Sequence, residues 1–188
     1  MLVALAGRAV APADWHVTLC FLGAVQPEPL AALQARAGQI DGRAFALPFE
    51  HIEYWRESRV LAATATAAPQ PARALTGALR ALACSTGLTP DLRALRPHVT
   101  LMRAVAGGHG AMRPGGLEQA ATGILRGLTL QAREFYLAES REPSGQPAAG
   151  RPASGQPAPA GARGGAPGLL AAAPRRYSTL ARWPLRAA

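Results

Sequence analysis

Apolar and polar positions change period several times along this chain, and each change predicts an element. Residues 2 to 6 form an apolar run that suits a first strand, and Ala11 to Asp14 carry the proline and the acidic residue of a turn. Trp15 to Leu22 then reads as a β-strand closed by Gly23. Leu30, Leu33, Ala37 and Ile40 fall at helical spacing within Pro27 to Ile40, where prolines occur only in the first turn, so an amphipathic helix is predicted there. Phe45, Leu47 and Phe49 alternate, as do Val60, Ala62 and Thr64 beyond the turn-like Trp55-Arg56-Glu57-Ser58, which predicts an antiparallel pair. A second helix is expected from Pro71 to Thr86, with Leu75, Leu79 and Leu82 on one face and Gly87 placed to end it. Extended runs follow at Pro97 to Val105, at 127 to 138 with Phe135 and Leu137 alternating against Tyr136 and Ala138, and at Arg176 to Leu185.

One stretch breaks the periodicity. Residues 143 to 174 hold seven prolines and seven glycines, and Ser144-Gly145-Gln146-Pro147-Ala148 recurs as Ser154-Gly155-Gln156-Pro157-Ala158. Without large apolar residues before Leu169 this segment cannot build a core, so it is expected to be a disordered, dispensable insert. Residues 1–142 and 175–188 would then form a single domain, a size that buries a sizeable core.

Composition adds less than the pattern. All 20 cations are arginine against 11 acidic residues, a net charge of +9. Planar guanidinium groups suit phosphate, so an RNA partner is compatible, but an Ala-, Gly-, Pro- and Arg-rich chain is also what a GC-rich genome produces without functional pressure. Cys20 and Cys84 have no metal-ligand spacing and make no disulfide framework. The apolar opening Met1 to Gly7 lacks a preceding cationic region and is interrupted by Arg8, and no stretch approaches the ~18 apolar residues of a membrane span. These features fit a protein of the reduced cytoplasm, without a membrane partner and expected to act as a monomer.

The chemistry lies in a pattern that occurs twice: Trp15-His16-Val17-Thr18-Leu19-Cys20-Phe21 and Pro97-His98-Val99-Thr100-Leu101-Met102-Arg103. In a strand, residues i and i+2 share a face at about 6.5 to 7 Å, so each histidine stands beside its own threonine while Val17, Leu19, Val99 and Leu101 face an apolar layer. If the two strands lie side by side, two imidazoles and two hydroxyls converge. A histidine near its ordinary pKa of about 6.5 accepts or donates a proton at neutral pH. Two of them can deprotonate a water and protonate a departing ribose oxygen in one reaction, while hydroxyl donors on Thr18 and Thr100 hold the non-bridging phosphate oxygens. From the residues alone, the repeat is either this catalytic set or a repeated strand element without chemistry. No metal or cofactor is called for. Arg103 is a further phosphate candidate: a regular strand would put it opposite His98 and Thr100, but the run ends near this point, where strands twist.

At these residues the sequence resembles the two-histidine phosphoesterases, and within them the RNA 2′,3′-cyclic phosphodiesterases also called 2′-5′ RNA ligases. The resemblance runs from about Ala11 to Arg141 and resumes at Tyr177 to Leu185. It includes Phe21-Leu22-Gly23 after the first motif, the Tyr54-Trp55-Arg56 turn before Val60-Leu61, the run Arg96 to Arg103, and Glu139-Ser140-Arg141. It implies a bilobal α+β fold, with antiparallel sheets lining a central cleft and helices packed outside. His16 would be proton donor and His98 proton acceptor, with Thr18 and Thr100 holding phosphate. The implied activity is metal-independent hydrolysis of RNA 2′,3′-cyclic phosphate ends to the 2′-phosphomonoester. The same chemistry reversed would join RNA ends 2′-5′, and a protein that binds RNA ends without turnover is the reading from a different class. Two departures from the family pattern stand out. Only 15 residues precede His16, so either Leu2 to Ala6 supplies the first strand directly or the chain is truncated, and residues 143–174 replace a short hairpin connection.

Two other histidines lie outside the motifs. His51, beside Glu50 and close to Glu53, is expected at the surface, and His109 sits in a glycine-rich loop without the spacing of a nucleotide-binding fingerprint. Tyr54 and Trp55 suit either stacking on a base or packing within the fold.

Overall fold

Residues 7–105, 128–140 and 176–187 are described by the computed structural model, and they form two α-helices and eight strands. Helix α1 (Pro27–Ala37) begins with proline in its first turn and buries Leu33 and Ala37. It ends three residues before Ile40, because the chain turns at Gly38 and Gln39. Helix α2 (Gln70–Ser85) buries Ala72, Leu75, Thr76, Leu82 and Ala83 on one face. Gly87, at φ +82°, stops it: the Leu88 N–H donates to Ala83 O at 3.0 Å and the Gly87 N–H to Cys84 O at 3.0 Å, the 6→1 and 5→2 bonds of a left-handed helix end.

The strands are β1 (Arg8–Ala9), β2 (Phe45–Pro48), β3 (His51–Trp55), β4 (Val60–Thr64), β5 (His98–Arg103), β6 (Thr129–Ala132), β7 (Glu134–Ser140) and β8 (Tyr177–Pro184). They make a four-stranded antiparallel sheet in the order β1-β5-β4-β3 and two antiparallel pairs, β2-β6 and β7-β8. The α+β class implied by the resemblance holds.

Two pairings differ from the expectation. The partner of Val60–Thr64 is His51–Trp55 and not the Phe45 run, which pairs instead with β6. Alternation makes both runs strands, yet the chain changes sheets between them: the Phe49 N–H donates to Leu128 O, while the next N–H, of Glu50, donates to Thr64 O. The second difference concerns the first motif. Trp15 to Leu22 joins no strand ladder; β5 pairs along its length with β4, and β1 covers the other edge only over its last residues, with the Val10 N–H donating to Leu101 O at 2.8 Å. The two motifs therefore do not lie side by side in one sheet. Val17 and Leu19 still pack against the core, as their alternation predicted, and Leu22 joins them.

The expected extended run at 127–138 is split at Arg133 into β6 and β7, which belong to different sheets, and β7 pairs with β8 from Glu134↔Pro184 to Ser140↔Tyr177. The candidate strand at 2–6, the glycine-rich loop with His109, and the 143–174 insert lie outside the described residues. The core is continuous, joining Leu33 of α1, Phe45 and Leu47 of β2, Leu61 and Ala63 of β4, Leu75 and Leu82 of α2, Val99 of β5 and Phe135 of β7. Close approach at Gly42 closes one end, where an added Cβ would meet Leu185 Cδ2 at 2.6 Å. No helix among the described residues is long and apolar enough to cross a membrane.

Leu75, 2 % exposed, has no room to be replaced from solvent, so Leu75→Ala is expected to lower stability by about 2–5 kcal/mol, whereas Leu92→Ala, at a position 70 % exposed, stays within about 0.5 kcal/mol. Urea unfolding followed by circular dichroism measures both.

Candidate active site

His98 opens β5, and its place is set from three sides. Its backbone pairs with Thr64 of β4, its ring lies edge-on to Trp55 of β3 at 4.7 Å between centroids, and its Nδ1 is 2.8 Å from Arg96 O. A carbonyl oxygen only accepts, so Nδ1 carries the proton, and Nε2 is the nitrogen left for the cleft. Burial lowers the pKa of His98, the bond to Arg96 O raises it, and the charges of His16, Arg96 and Arg103 lower it; the balance is below the ordinary value. At neutral pH the ring is mostly neutral with a bare Nε2.

His16 is held in the same manner by different means. Its Nδ1 is 2.6 Å from Asp14 O, again a carbonyl two residues earlier, and Tyr177 of β8 lies edge-on to the ring at 4.5 Å. The Asp14 carboxylate, buried at 8 % exposure, accepts the Arg176 N–H at 3.1 Å and so ties the first motif to the start of β8. Trp15 Nε1 donates to Val10 O at 3.0 Å. These bonds replace the missing strand ladder.

Both histidines open into one cleft of about 1030 Å³, whose walls include Thr18, Thr100, Arg103 and Tyr177. The five residues singled out in the sequence thus share one cavity, although the motifs do not reach it as neighbouring strands. Arg103 is on the cleft wall in spite of its odd spacing from Thr100. Opposite β4, Ala62 pairs with Thr100 and Leu61 with Met102, so β5 carries one extra residue there. Such a bulge reverses the in-out alternation beyond it, bringing position 103 to the face of 98 and 100. Ala104 follows with φ +52° and ends the strand. Arg103 Nε is buried without a hydrogen-bond partner, and its NH2 is 3.5 Å from Tyr177 Oη. A buried guanidinium N–H with no protein acceptor suits an anionic ligand.

Asp14, Tyr177 and Arg176 were not singled out as site residues. No spacing in the chain links positions 14 and 16 to 176 and 177; the only signal was that a tyrosine opens the last extended run. Arg176 also lines the cleft and has a buried, unpartnered Nε. His51 is exposed with Nε2 3.2 Å from Thr66 Oγ1, away from the motifs, as expected. Trp55 is absorbed in packing: Arg96 stands over its ring at 5.2 Å and His98 meets it edge-on. Cys20 and Cys84 are free thiols, and among the described residues no group of three His, Cys, Asp or Glu is arranged to hold a metal ion.

The α+β arrangement of the described residues is similar to the fold of solved phosphoesterases. More narrowly, the sequence pattern of the family described as LigT like Phosphoesterase matches residues 2–62, a span that includes His16. The RNA 2′,3′-cyclic phosphodiesterase of Escherichia coli is 37 % identical over 98 residues, a match covering 52 % of this chain and 56 % of that relative. Crystal structures of E. coli LigT without ligand and with 3′-AMP superpose with TM-scores of 0.63 and 0.63 at 27 % and 28 % identity, covering 96 % and 98 % of this chain and 81 % and 84 % of theirs. The chain is thus similar to LigT-like phosphoesterases in its first third by family pattern, and along most of its length by fold.

The direction of the His98 shift is open to measurement. Its ring is expected to titrate below about 6.5 in a pH series of NMR spectra, and Arg103→Met, which removes a positive charge that disfavours the imidazolium, is expected to move the midpoint upward.

Proposed function

We propose that this chain hydrolyses 2′,3′-cyclic phosphate ends of RNA to the 2′-phosphomonoester. The observation that carries the reading is the matched tethering of His16 and His98: each Nδ1 is committed to a carbonyl two residues back, and each ring opens to the same cleft through Nε2. The similarity to an E. coli RNA 2′,3′-cyclic phosphodiesterase, and to a LigT structure that holds 3′-AMP, supports the substrate class. A cleft of about 1030 Å³ is roomy enough for a terminal nucleotide.

In this reading the cyclic phosphate sits between the two rings. Neutral His98 takes a proton from water through Nε2 as the water oxygen forms its bond to phosphorus. Its lowered pKa favours this acceptor role. Imidazolium His16 gives its Nε2 proton to the ribose O3′ as the phosphorus–O3′ bond breaks, which leaves a 3′-hydroxyl and a 2′-phosphate. Atoms and charge balance without a further reactant: one water is consumed, and the two histidines end with exchanged protonation states that solvent resets. Hydroxyls of Thr18 and Thr100 hold the non-bridging oxygens as charge builds on phosphorus. Arg103, with its unpartnered Nε, adds a fixed positive group to the same oxygens.

Incubating the protein with a dinucleotide 2′,3′-cyclic phosphate in the presence of a chelator, then identifying the product, tests the reaction; a 2′-phosphate is expected, and the absence of turnover or a 3′-phosphate product overturns it. In single-turnover measurements His16→Ala and His98→Ala are each expected to slow hydrolysis by roughly 10²–10⁴-fold, and the double variant to be little worse than the poorer single one, since both proton transfers belong to one transition state. Thr18→Ala and Thr100→Ala should cost less.

A further inference from the structure

Glu53, on β3, lies outside the paired motifs, yet its carboxylate collects three donors. Thr64 Oγ1 donates to Oε1 at 2.9 Å, Trp55 Nε1 donates to Oε2 at 2.9 Å, and an Arg96 NH2 group donates to the same Oε2. Each of these three residues also touches His98, by a different kind of contact. Thr64 is its cross-strand partner, Trp55 packs against its ring, and Arg96 offers the carbonyl that receives its Nδ1 proton. Thr64, at 1 % exposure, cannot be re-solvated if its acceptor is lost. We propose that Glu53 is a positioning residue for His98: one carboxylate binds together the strand partner, the ring neighbour and the carbonyl-bearing residue, and thereby holds the imidazole with Nε2 toward the cleft.

The arrangement fits the chemistry of a carboxylate and of no neutral side chain of similar size. An ionised carboxylate is acceptor-only, with two oxygens and about four lone-pair positions, enough for three N–H or O–H donors at once. A glutamine in its place keeps one oxygen and turns the other position into a donor, which then faces a donor. Partial burial raises the carboxyl pKa of Glu53, but the bonds from Trp55 and Thr64 and the charge of Arg96 bring it below its ordinary value, so the carboxylate is ionised at neutral pH. Glu53 also balances a charge. The groups that bear on His98 are His16 from the first motif, Arg96 from the preceding loop and Arg103 farther along β5, all of which disfavour its protonation; Glu53 from β3 neutralises the nearest of them by its ion pair with Arg96. Outer partners that fix a histidine's orientation are commonly worth about 10- to 100-fold in activity where they have been removed around metal-bound histidines, which sets the scale expected here.

Because this assignment rests on the proposed role of His98 in turnover, its test needs a readout that survives the failure of that role. Glu53→Gln is expected to move the NMR titration midpoint of His98 downward, since Arg96 loses its counter-charge, whether or not the protein acts on a cyclic phosphate. With the dinucleotide cyclic phosphate as substrate, Glu53→Gln is expected to lower kcat by roughly 10-fold or more with KM held within about twofold. In a His98→Ala background the same substitution should cause no further loss. Glu53→Asp keeps the charge but withdraws the carboxylate from its donors; it is expected to lower kcat several-fold with little movement of the His98 midpoint, and it carries the test if the glutamine variant does not fold. An unchanged His98 titration in Glu53→Gln, or an equal loss of rate with and without His98, overturns the proposal. A shifted titration in a protein that turns over no cyclic phosphate upholds the positioning role and overturns only the function assigned above.

Discussion

The pairing of β5 is the constraint on which the site depends. With β4 along one edge and β1 closing the other over its last residues, β5 holds His98, Thr100 and Arg103 on one fixed backbone. Its single bulge turns an arginine that regular alternation would point away into a cleft wall residue. The first motif adds no strand to this sheet and is held by side-chain and backbone tethers in place of a ladder.

Those tethers give the two halves a common logic with unlike parts. Each histidine spends Nδ1 on a carbonyl two residues back and rests against one aromatic ring, Tyr177 for His16 and Trp55 for His98. The side chains of the two carbonyl-bearing residues differ in sign. Asp14 is buried and reaches the backbone of β8, whereas Arg96 reaches the carboxylate of Glu53. His98 is therefore partly buried and sits among cations, and both lower its pKa.

Positive charge is useful here only where it is placed. Several arginines are exposed at the surface, and Arg93, Arg182 and Arg186 pair with Asp91, Glu134 and Asp41, contacts of the kind that contribute little. Arg103 and Arg176 instead keep a buried N–H without an acceptor among the described residues at the cleft, which suits the anionic ligand proposed above.

The amino-acid sequence by itself determined which side chains are candidates for the chemistry proposed above and most of the elements that bear them. His16, Thr18, His98 and Thr100 were legible because a strand's two-residue period makes His-x-Thr a local statement, and α2 was legible within one residue at each end because apolar spacing and Gly87 are local signals too. Only the tertiary structure decided that the motifs line one cleft without sharing a ladder, that the Phe45 run and the Val60 run belong to different sheets, and that Arg103 reaches the cleft. Each of these depends on which edge of which strand is already filled. Edge occupancy, a bulge, and the approach of Asp14 to Arg176 or of Glu53 to Thr64 and Arg96 are contacts between distant parts of the chain, and hydrophobic alternation specifies the face a side chain takes without specifying the neighbour it meets.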